Sequence, residues 1–273
     1  MRNSNPLVSV LMTVYNREAL IAEAIESVLT CNYENLELII VDDCSQDGSL
    51  KVARRFEQQD SRVRVFVNSK NLSDYPNRNK AASYAKGVYL KYLDSDDVLY
   101  PYGLNIMVDR MEDHPSAALG LAKRGLKEEP FPVLLSPAES YTTSFLKGNF
   151  LFGNAPTSVI IRRSVFESTG GFSGLNQLGD AEYWMKVAAE YPILLIEGDV
   201  SWNRDHPASE KYKDDVYAKV NLKYSLIKTA LQHPNCPLNE EERMVALGLL
   251  EADHKKFHRK HRILKLYKSI FKV

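Results

Sequence analysis

The sequence predicts an α/β fold in which a mainly parallel, Rossmann-like sheet is flanked by helices. Short apolar segments rich in β-branched residues, at Leu7–Tyr15, Leu36–Val41 and Val63–Val67, have the length and composition of buried strands. Amphipathic segments with helical spacing separate them, as at Leu20–Leu29. Strands that alternate with helices of this length form parallel sheets with right-handed crossovers and helices on both faces.

The next elements of the first half follow the same pattern. Asn16 is expected to cap the first helix, and Val88–Leu93 is expected to form a fourth strand. From about Pro115 the pattern loosens and several prolines occur close together. We interpret this stretch as a connection between two halves of one fold. Its prolines are Pro130, Pro132 and Pro137.

The second half is predicted to resume with a strand at Ser158–Ile161, a helix at Gly179–Glu190 and a strand at Ile193–Ile196. After Pro207 the chain is predicted to be helical almost to its end, with an interruption at His233–Pro237. The fold therefore ends in a helical C-terminal extension.

Composition excludes several classes of protein. The 273 residues are 44% hydrophobic and 26% charged, with 13 Gly and 12 Pro, which excludes disordered, collagen-like and low-complexity chains. Thirty-five Lys and Arg balance thirty-five Asp and Glu, so nucleic acid is not expected as a partner. Because the sequence has no apolar run of about eighteen residues and no signal-peptide pattern, we expect a cytoplasmic protein. The three cysteines have no metal-site spacing and are expected to be reduced thiols.

Acidic residues follow two of the predicted strands. Asp42 and Asp43 follow the second strand, and Asp94, Asp96 and Asp97 lie within four residues after the fourth. Because ligands bind at the carboxyl ends of parallel strands, these carboxylates are candidate binding groups. An Asp-x-Asp pair suits Mg²⁺ or Mn²⁺, which take carboxylate and phosphate oxygens. The alternative is structural: an Asx turn at the second strand, and a polar turn in which Asp97 caps the next helix.

Six segments together resemble family 2 of the glycosyltransferases, and they occur in the order seen in that family. The segments are VSVLMTVYNRE, ELIIVDDCSQDGS, YPNRNKAASYAKGVYLKYLDSDD, SVIIRRSVFESTGGF, GDAEYWMKVAAEYP and NRDHPASE. The resemblance covers about residues 7–210 and implies an inverting nucleotide-sugar transferase of the GT-A fold. The segment GDAEYWMKV is also similar to the catalytic segment of SpsA-type spore-coat enzymes.

The resemblance implies a site for the donor nucleotide. Thr13, Tyr15 and Asp43 match family residues that hold the nucleotide, with the carboxylate hydrogen-bonded to the base and the tyrosine near it. Arg78 matches a basic residue close to the base and the diphosphate. Asp94 matches the first acid of the family's DxD motif, which usually faces the ribose.

The resemblance also implies a metal site and a catalytic base. Asp96 matches the second acid of the DxD motif, which binds the Mn²⁺ or Mg²⁺ ion that bridges the diphosphate. His206 matches a histidine near the diphosphate, which in some members is also a metal ligand, and Asp180 matches the base. Many members carry Glu-Asp where this chain has Gly179 followed by Asp180. Any role of that glutamate has no counterpart here.

The chemistry of sugar transfer explains why these residue types are needed. Displacing a nucleoside diphosphate from the sugar C1 builds negative charge on the leaving phosphate, which a metal held by Asp96 would stabilise. The acceptor hydroxyl must lose its proton to a carboxylate within hydrogen-bond reach, and Asp180 is the candidate. The alternative is that Asp180 is an ordinary acid in the first turn of a helix, where it interacts favourably with the helix dipole.

The C-terminal segment, residues 255–273, is basic and amphipathic. It contains eight Lys or Arg and no acid, whereas residues 1–254 contain 27 Lys and Arg against 35 Asp and Glu. The net charge of zero is therefore a cancellation between a body of −8 and a tail of +8. Such a tail can lie on an anionic membrane surface, where each basic residue contributes about 1 kcal/mol. The alternatives are a helix packed on the domain with a solvated basic face, and a nucleic-acid-binding tail.

These observations predict a metal-dependent inverting glycosyltransferase. The sugar is expected to come from a nucleotide donor, with a UDP-sugar favoured, and to pass to a hydroxyl of a surface glycan or a lipid-linked acceptor. We expect residues 1–115 to bind the nucleotide sugar, residues 116–210 to form the acceptor-binding and catalytic half, and residues 211–273 to form the extension. One alternative is a sugar nucleotidyltransferase, although the segment VYNREAL lacks the usual Gly-rich phosphate loop. Another is a non-catalytic nucleotide-binding module. The loop at residues 123–136 matches no interpretable motif.

Overall fold

The computed structural model describes residues 5–123, 130–205 and 215–271, and its centre is an eight-stranded sheet. The strands are β1 (Val8–Val14), β2 (Leu36–Asp42), β3 (Val63–Val67), β4 (Tyr89–Tyr92), β5 (Val98–Leu99), β6 (Leu119–Lys123), β7 (Val133–Leu135), β8 (Val159–Arg162), β9 (Ile193–Glu197) and β10 (Ser201–Trp202). The sheet order is β3-β2-β1-β4-β8-β6-β9-β7, and β5 pairs with β10 in a separate antiparallel ribbon. Only β8 and β7 run antiparallel to their neighbours in the described part of this sheet.

Helices cover both faces of the sheet. They are α1 (Ile21–Leu29), α2 (Ser49–Gln59), α3 (Asp74–Ala82), α4 (Gly103–Asp113), α5 (Pro137–Phe145), α6 (Arg163–Thr169), α7 (Gly179–Glu190), α8 (Val216–Gln232) and α9 (Glu240–Phe271). Val10 and Met12 of β1 pack into one apolar cluster with α1, α2 and α4. Leu11 packs into a second cluster with the remaining helices. The side chains of β1 alternate between the two clusters because successive residues of a strand point to opposite faces.

The strand order creates a crevice at the carboxyl ends of β1 and β4. The chain leaves β1 for β2 on one side of the sheet and later returns to β4 on the other side. In open parallel sheets, ligands bind outside the strand ends at such a reversal of order. The segments that follow β1 and β4, which begin at Tyr15 and Leu93, are therefore placed to form a binding site.

The predicted fold class is confirmed, and two local predictions are wrong. Asn16 does not cap α1, which begins at Ile21; it adopts a left-handed backbone conformation (φ 52°), and its side chain accepts a hydrogen bond from the Gln46 backbone N–H. The stretch after Pro115 is not only a connection, because it contains β6, a strand inside the sheet that pairs with β8 and β9.

Over its described residues, 215–271, the C-terminal extension is helical, as predicted, and α8 and α9 are separated at residues 233–239. Ile227 and Leu231 of α8 and Ala246 of α9 join the apolar cluster on the α7 side of the sheet. The extension therefore packs on the domain at least as far as the first turns of α9. In the described part of the chain, no helix has the length and apolar character needed to cross a membrane.

Candidate active site

Three carboxylates cluster after β4, at the crevice between β1 and β4. Oxygen atoms of Asp94, Asp96 and Asp97 lie within 4.8 Å of one another. Carboxylate oxygens are hard donors that suit Mg²⁺ or Mn²⁺, so the chemistry of this cluster fits the predicted metal. The polar turn of the structural alternative is present, since the Asp97 backbone N–H donates to the Asp94 carbonyl at 3.0 Å. The expectation that Asp97 caps the next helix is wrong, because α4 begins at Gly103 with Tyr102 at its N-cap position.

Two arginines from other elements contact the acidic cluster. Arg17, from the loop after β1, donates from Nε to Oδ2 of Asp96 at 3.0 Å. Arg78, on α3, donates from Nη2 to Oδ1 of Asp94 at 2.7 Å and from Nε to Oδ1 of Asp74 at 2.8 Å. The side chain of Arg78 is buried, and its Nη1 has no hydrogen-bond partner among the described residues. A buried guanidinium group with a spare donor is suited to bind an anionic group.

Asp97 ties the acidic cluster to the segment after β10. Its Oδ2 accepts a hydrogen bond from the Asn203 side chain at 2.8 Å, and its Oδ1 accepts one from the Arg204 backbone N–H at 2.9 Å. Burial raises the pKa of Asp97 to about 7, and the neighbouring Asp94 carboxylate adds to this rise. Burial also raises the pKa of Asp94, whereas Arg78 opposes that rise.

A buried lysine lies beneath the cluster in β4. Lys91 is fully buried and donates from Nζ to the backbone carbonyls of Tyr92, at 2.8 Å, and Thr157. Burial lowers its pKa to about 7, and the carboxylates of Asp94 and Asp97 oppose this shift. Lys91 therefore joins β4 to the short 3₁₀ helix at Pro156–Ser158.

The nucleotide-binding candidates near β1 and β2 differ in exposure. Tyr15 is 48% exposed just after β1, and Thr13 is half-buried within that strand. Asp43, in contrast, is buried and accepts hydrogen bonds from the backbone N–H groups of Leu72 and Ser73, at 2.8 and 3.0 Å. Its carboxylate thus holds the loop that leads into α3.

Asp180 lies in the first turn of α7, next to Tyr75 of α3. Oδ1 of Asp180 accepts a hydrogen bond from the Ala181 backbone N–H at 2.7 Å. Burial raises the pKa of Asp180, whereas the Ala181 hydrogen bond, the Arg78 charge and a hydrogen bond with Tyr75 oppose the rise. A carboxylate whose pKa lies above its ordinary value is better suited to accept a proton near neutral pH.

One face of α3 connects the two parts of the site. Tyr75 and Arg78 are three residues apart and therefore lie on the same face of this helix. Tyr75 contacts Asp180, and Arg78 contacts Asp94. The structure thus connects Arg78, Asp94, Asp96 and Asp180 from the predicted set, and Tyr15 lies exposed just after β1. His206, the other candidate metal ligand, lies outside the described residues.

Sequence reasoning missed several residues that contact the predicted site residues. They are Arg17, Asp74, Lys91, Asn203 and Arg204. Arg17 and Arg78 lie inside segments of the family resemblance, but only Arg78 was singled out there. The position of Arg17 soon after the first strand could have identified it, because the segments that follow the first and fourth strands meet at the same edge of the sheet.

Comparison with known proteins identifies the family of this chain. A family model described as Glycosyl transferase family 2 matches residues 9–170. The chain belongs to this family. Family 2 membership makes the protein a glycosyltransferase and decides against the sugar nucleotidyltransferase and the non-catalytic module.

Two relatives from Bacillus subtilis also carry glycosyltransferase names. EpsE of Bacillus subtilis (strain 168), which is named as a glycosyltransferase, is 40% identical over 251 residues, covering 86% of this chain and 83% of EpsE. TuaG of the same organism, named as a teichuronic acid biosynthesis glycosyltransferase, is 41% identical over 97 residues, covering 36% of this chain and 38% of TuaG.

Solved structures with the same fold include two glycosyltransferases with bound nucleotide sugars. Staphylococcus aureus TarS in complex with UDP-GlcNAc has a TM-score of 0.70 at 18% identity, covering 92% of this chain and 73% of the TarS chain. The mannosyltransferase PcManGT of Pyrobaculum calidifontis, in complex with GDP-Man and Mn²⁺, has a TM-score of 0.65 at 17% identity, covering 98% of this chain and 82% of the other. These structures support the GT-A fold.

Proposed function

We propose that this family 2 enzyme is a metal-dependent inverting glycosyltransferase. It takes a sugar from a nucleotide donor, preferably a UDP-sugar. It transfers that sugar to a hydroxyl group of a surface glycan or of a lipid-linked saccharide. The observation that carries the proposal is the convergence of three carboxylates, two arginines and Asp180 at one crevice. Names of relatives point the same way, since TarS is bound to UDP-GlcNAc and TuaG is named for teichuronic acid biosynthesis.

The donor diphosphate is assigned to the acidic cluster and its arginines. Asp96, with Asp94 or Asp97, would hold a divalent ion, which when bound stabilises negative charge on the leaving diphosphate. Arg78 offers its unpartnered Nη1, and Arg17 can exchange its contact with Asp96 for a phosphate oxygen. Tyr15 is exposed at the mouth and is available to stack on the base.

Asp180 is assigned as the general base. The acceptor oxygen attacks the sugar C1 from the face opposite the diphosphate, its proton passes to the Asp180 carboxylate, and the C1–O bond to the nucleoside diphosphate breaks. The configuration at C1 is inverted because attack and departure occur on opposite faces. Tyr75 and Arg78 bias the proton affinity of Asp180 from the α3 side.

The test is donor turnover by the full chain with a panel of UDP- and GDP-sugars, measured with Mn²⁺, with Mg²⁺ and with EDTA. We expect Asp180→Asn to lower turnover by about 10²-fold or more, since general-base catalysis contributes about that much. Asp96→Asn should also lower turnover, and it should make turnover depend less on the Mn²⁺ concentration. Asp253→Asn, at an exposed position on α9, is the matched control and should retain full turnover. Full activity in EDTA, or in correctly folded Asp180→Asn, would contradict the proposal.

Attachment to a membrane surface is the second part of the proposal. The tail of residues 255–273 carries a charge of +8 against a body of −8, and a lipid-linked acceptor would give a cytoplasmic enzyme a reason to lie at the inner membrane face. The side chains of residues 263–273 lie outside the described part of the structure. For residues 263–273 the proposal therefore rests on the sequence, whereas Phe257, in the described part of the tail, packs against Tyr217 of α8 with 6.3 Å between ring centroids.

A further inference from the structure

Far along the C-terminal hairpin, three polar side chains of α8 and α9 converge on one another. His254 and His258 lie one turn apart on α9, with their Nε2 atoms 2.9 Å apart. Oδ1 of Asn221, on α8, lies 2.8 Å from Nε2 of His254 and 3.0 Å from Nε2 of His258. Two ring nitrogens and one oxygen thus form a nearly equilateral triangle between the two helices.

No placement of protons satisfies this triangle. Asn221 donates from Nδ2 to the Tyr217 backbone carbonyl at 3.0 Å, which fixes the amide with its acceptor oxygen toward the imidazoles. Both Nε2 atoms would need a proton to bond that oxygen, and two N–H groups would then face each other at 2.9 Å. If one Nε2 is unprotonated instead, its lone pair faces the lone pairs of the Asn221 oxygen.

A cation resolves the conflict because all three atoms can then present lone pairs to it. With metal–ligand bonds of about 2.1 Å, neighbouring ligand atoms lie about 3.0 Å apart at the 90° angles of a six-coordinate ion and about 3.4 Å apart at tetrahedral angles, so the triangle fits six-coordinate geometry. The three measured edges of 2.8, 2.9 and 3.0 Å match one face of such a coordination sphere. Because His254 and His258 are only half-buried, the remaining coordination positions are open to water.

We propose that Asn221, His254 and His258 form a binding site for a divalent transition-metal ion that favours imidazole ligands, such as Zn²⁺ or Ni²⁺. This site is separate from the acidic cluster, whose oxygen donors suit Mg²⁺ or Mn²⁺. The ion would join α8 to α9 across the hairpin and so fix the helix that continues into the basic tail.

The surroundings of the triangle resemble the outer shell of a metal site. The Tyr217 hydroxyl lies 2.9 Å from Nδ1 of His258, where it can accept the proton of a histidine that ligates through Nε2. The Tyr224 ring stacks on the His254 ring with 4.0 Å between centroids, which orients that imidazole.

The test is titration of the untagged full-length protein with Zn²⁺ by calorimetry, in a large excess of Mg²⁺ that occupies the acidic cluster. We expect one Zn²⁺ per chain, with affinity at least tenfold weaker in His258→Gln and in His254→Gln. Asn221→Asp keeps an oxygen ligand and adds a negative charge, so it should bind Zn²⁺ at least as tightly as the wild type. His233→Gln, between α8 and α9 but outside the triangle, is the matched control and should bind normally.

A second readout separates binding from a folding defect. Because Zn²⁺ would bind only the folded hairpin, it should raise the melting temperature of the wild type and of Asn221→Asp, and raise that of His258→Gln by clearly less at the same Zn²⁺ concentration. Melting in EDTA with far-UV circular dichroism reports whether each variant is folded. Absence of stoichiometric Zn²⁺ binding to the wild type, or equal binding by folded His258→Gln, would overturn the proposal.

Discussion

Gly179 and Tyr75 fit together because one of them lacks a side chain. A Cβ atom added to Gly179 would lie 2.7 to 3.0 Å from three ring atoms of Tyr75, closer than real contacts allow. Tyr75 is buried, and its ring also packs against Phe172 with 5.1 Å between centroids, so it has little room to move. This contact explains physically why the residue before Asp180 is Gly and not the Glu that the family resemblance leads one to expect.

We therefore expect Gly179→Ala to destabilise the protein by about 1–3 kcal/mol through overpacking against Tyr75. Urea denaturation measures the change. Gly248→Ala is the matched control, because a Cβ at this α9 position meets nothing within 4 Å and the substitution should instead raise stability by about 0.5–1 kcal/mol. Unchanged stability of Gly179→Ala would show that the ring moves aside freely.

Tyr75 also affects the proton affinity of Asp180. The hydrogen bond between them lowers the pKa of Asp180, so Tyr75→Phe should raise it. A general base works only when ionised, and activity is lost as pH falls through its pKa. The acid limb of the pH–rate profile should therefore move to higher pH in Tyr75→Phe, with less change on the alkaline side. Tyr102→Phe, at an exposed position, should leave the profile unchanged; the same profile in both variants would contradict this role of Tyr75.

The sequence predicts the acids of the site better than the groups around them. Asp94 and Asp96 follow a recognisable strand, so local pattern and family resemblance both identify them. Arg17 contacts Asp96 across 79 residues of sequence, and Asn203 contacts Asp97 across 106. Contacts over such separations depend on the strand order, which hydrophobic periodicity alone does not specify.

Among the elements, β6 shows how packing can override local pattern. The strand contains Gly120, an unfavourable strand residue, and lies close to several prolines, so the sequence indicates a connection. In the fold, a Cβ at Gly120 would lie 2.6 Å from Cδ1 of Ile196 and 2.8 Å from Cγ2 of Ile160. Position 120 therefore needs glycine, because side chains of β8 and β9 occupy the space of a Cβ atom. The local sequence around β6 does not reveal these contacts.

The start of α9 is fixed by a reciprocal pair of hydrogen bonds. Oδ1 of Asn239 accepts from the Glu242 backbone N–H at 2.9 Å, and Oε2 of Glu242 accepts from the Asn239 backbone N–H at 3.0 Å. We expect Asn239→Ala to lower the free energy of unfolding by about 1 kcal/mol, the usual effect of losing such a cap. Urea denaturation measures this, with the exposed loop substitution Asn32→Ala as control. Equal stability of the two variants would mean that the cap contributes nothing.

For the molecule as a whole, the main feature is the separation of charge between the body, residues 1–254, and the tail, residues 255–273. This feature follows from the sequence and needs no structure. If the tail lies on anionic lipid, replacing Lys255, Lys256, Arg259 and Lys260 with Gln should weaken binding to phosphatidylserine vesicles by at least tenfold, since each charge contributes about 1 kcal/mol. Vesicle co-sedimentation at low and high salt measures this, and binding should fall as salt rises.

Controls make this prediction specific. Lys51→Gln with Lys70→Gln removes two exposed charges from the body and should leave vesicle binding unchanged. Vesicles of phosphatidylcholine alone should bind neither protein. If the tail variant and the wild type bind the vesicles equally, the basic residues do not hold the protein on the membrane. They would then form the solvated face of a helix that packs on the domain.

The single turn of α3 that carries Tyr75 and Arg78 has a consequence for how such an enzyme can diversify. On the proposed assignment, the spacing between the proton acceptor and the departing diphosphate is set by a rise of about 4.5 Å along one rigid helix. Segments elsewhere in the second half can then change during evolution and accept new hydroxyl-bearing substrates while that spacing stays the same. The choice of acceptor can therefore change while the geometry of the transfer reaction stays the same.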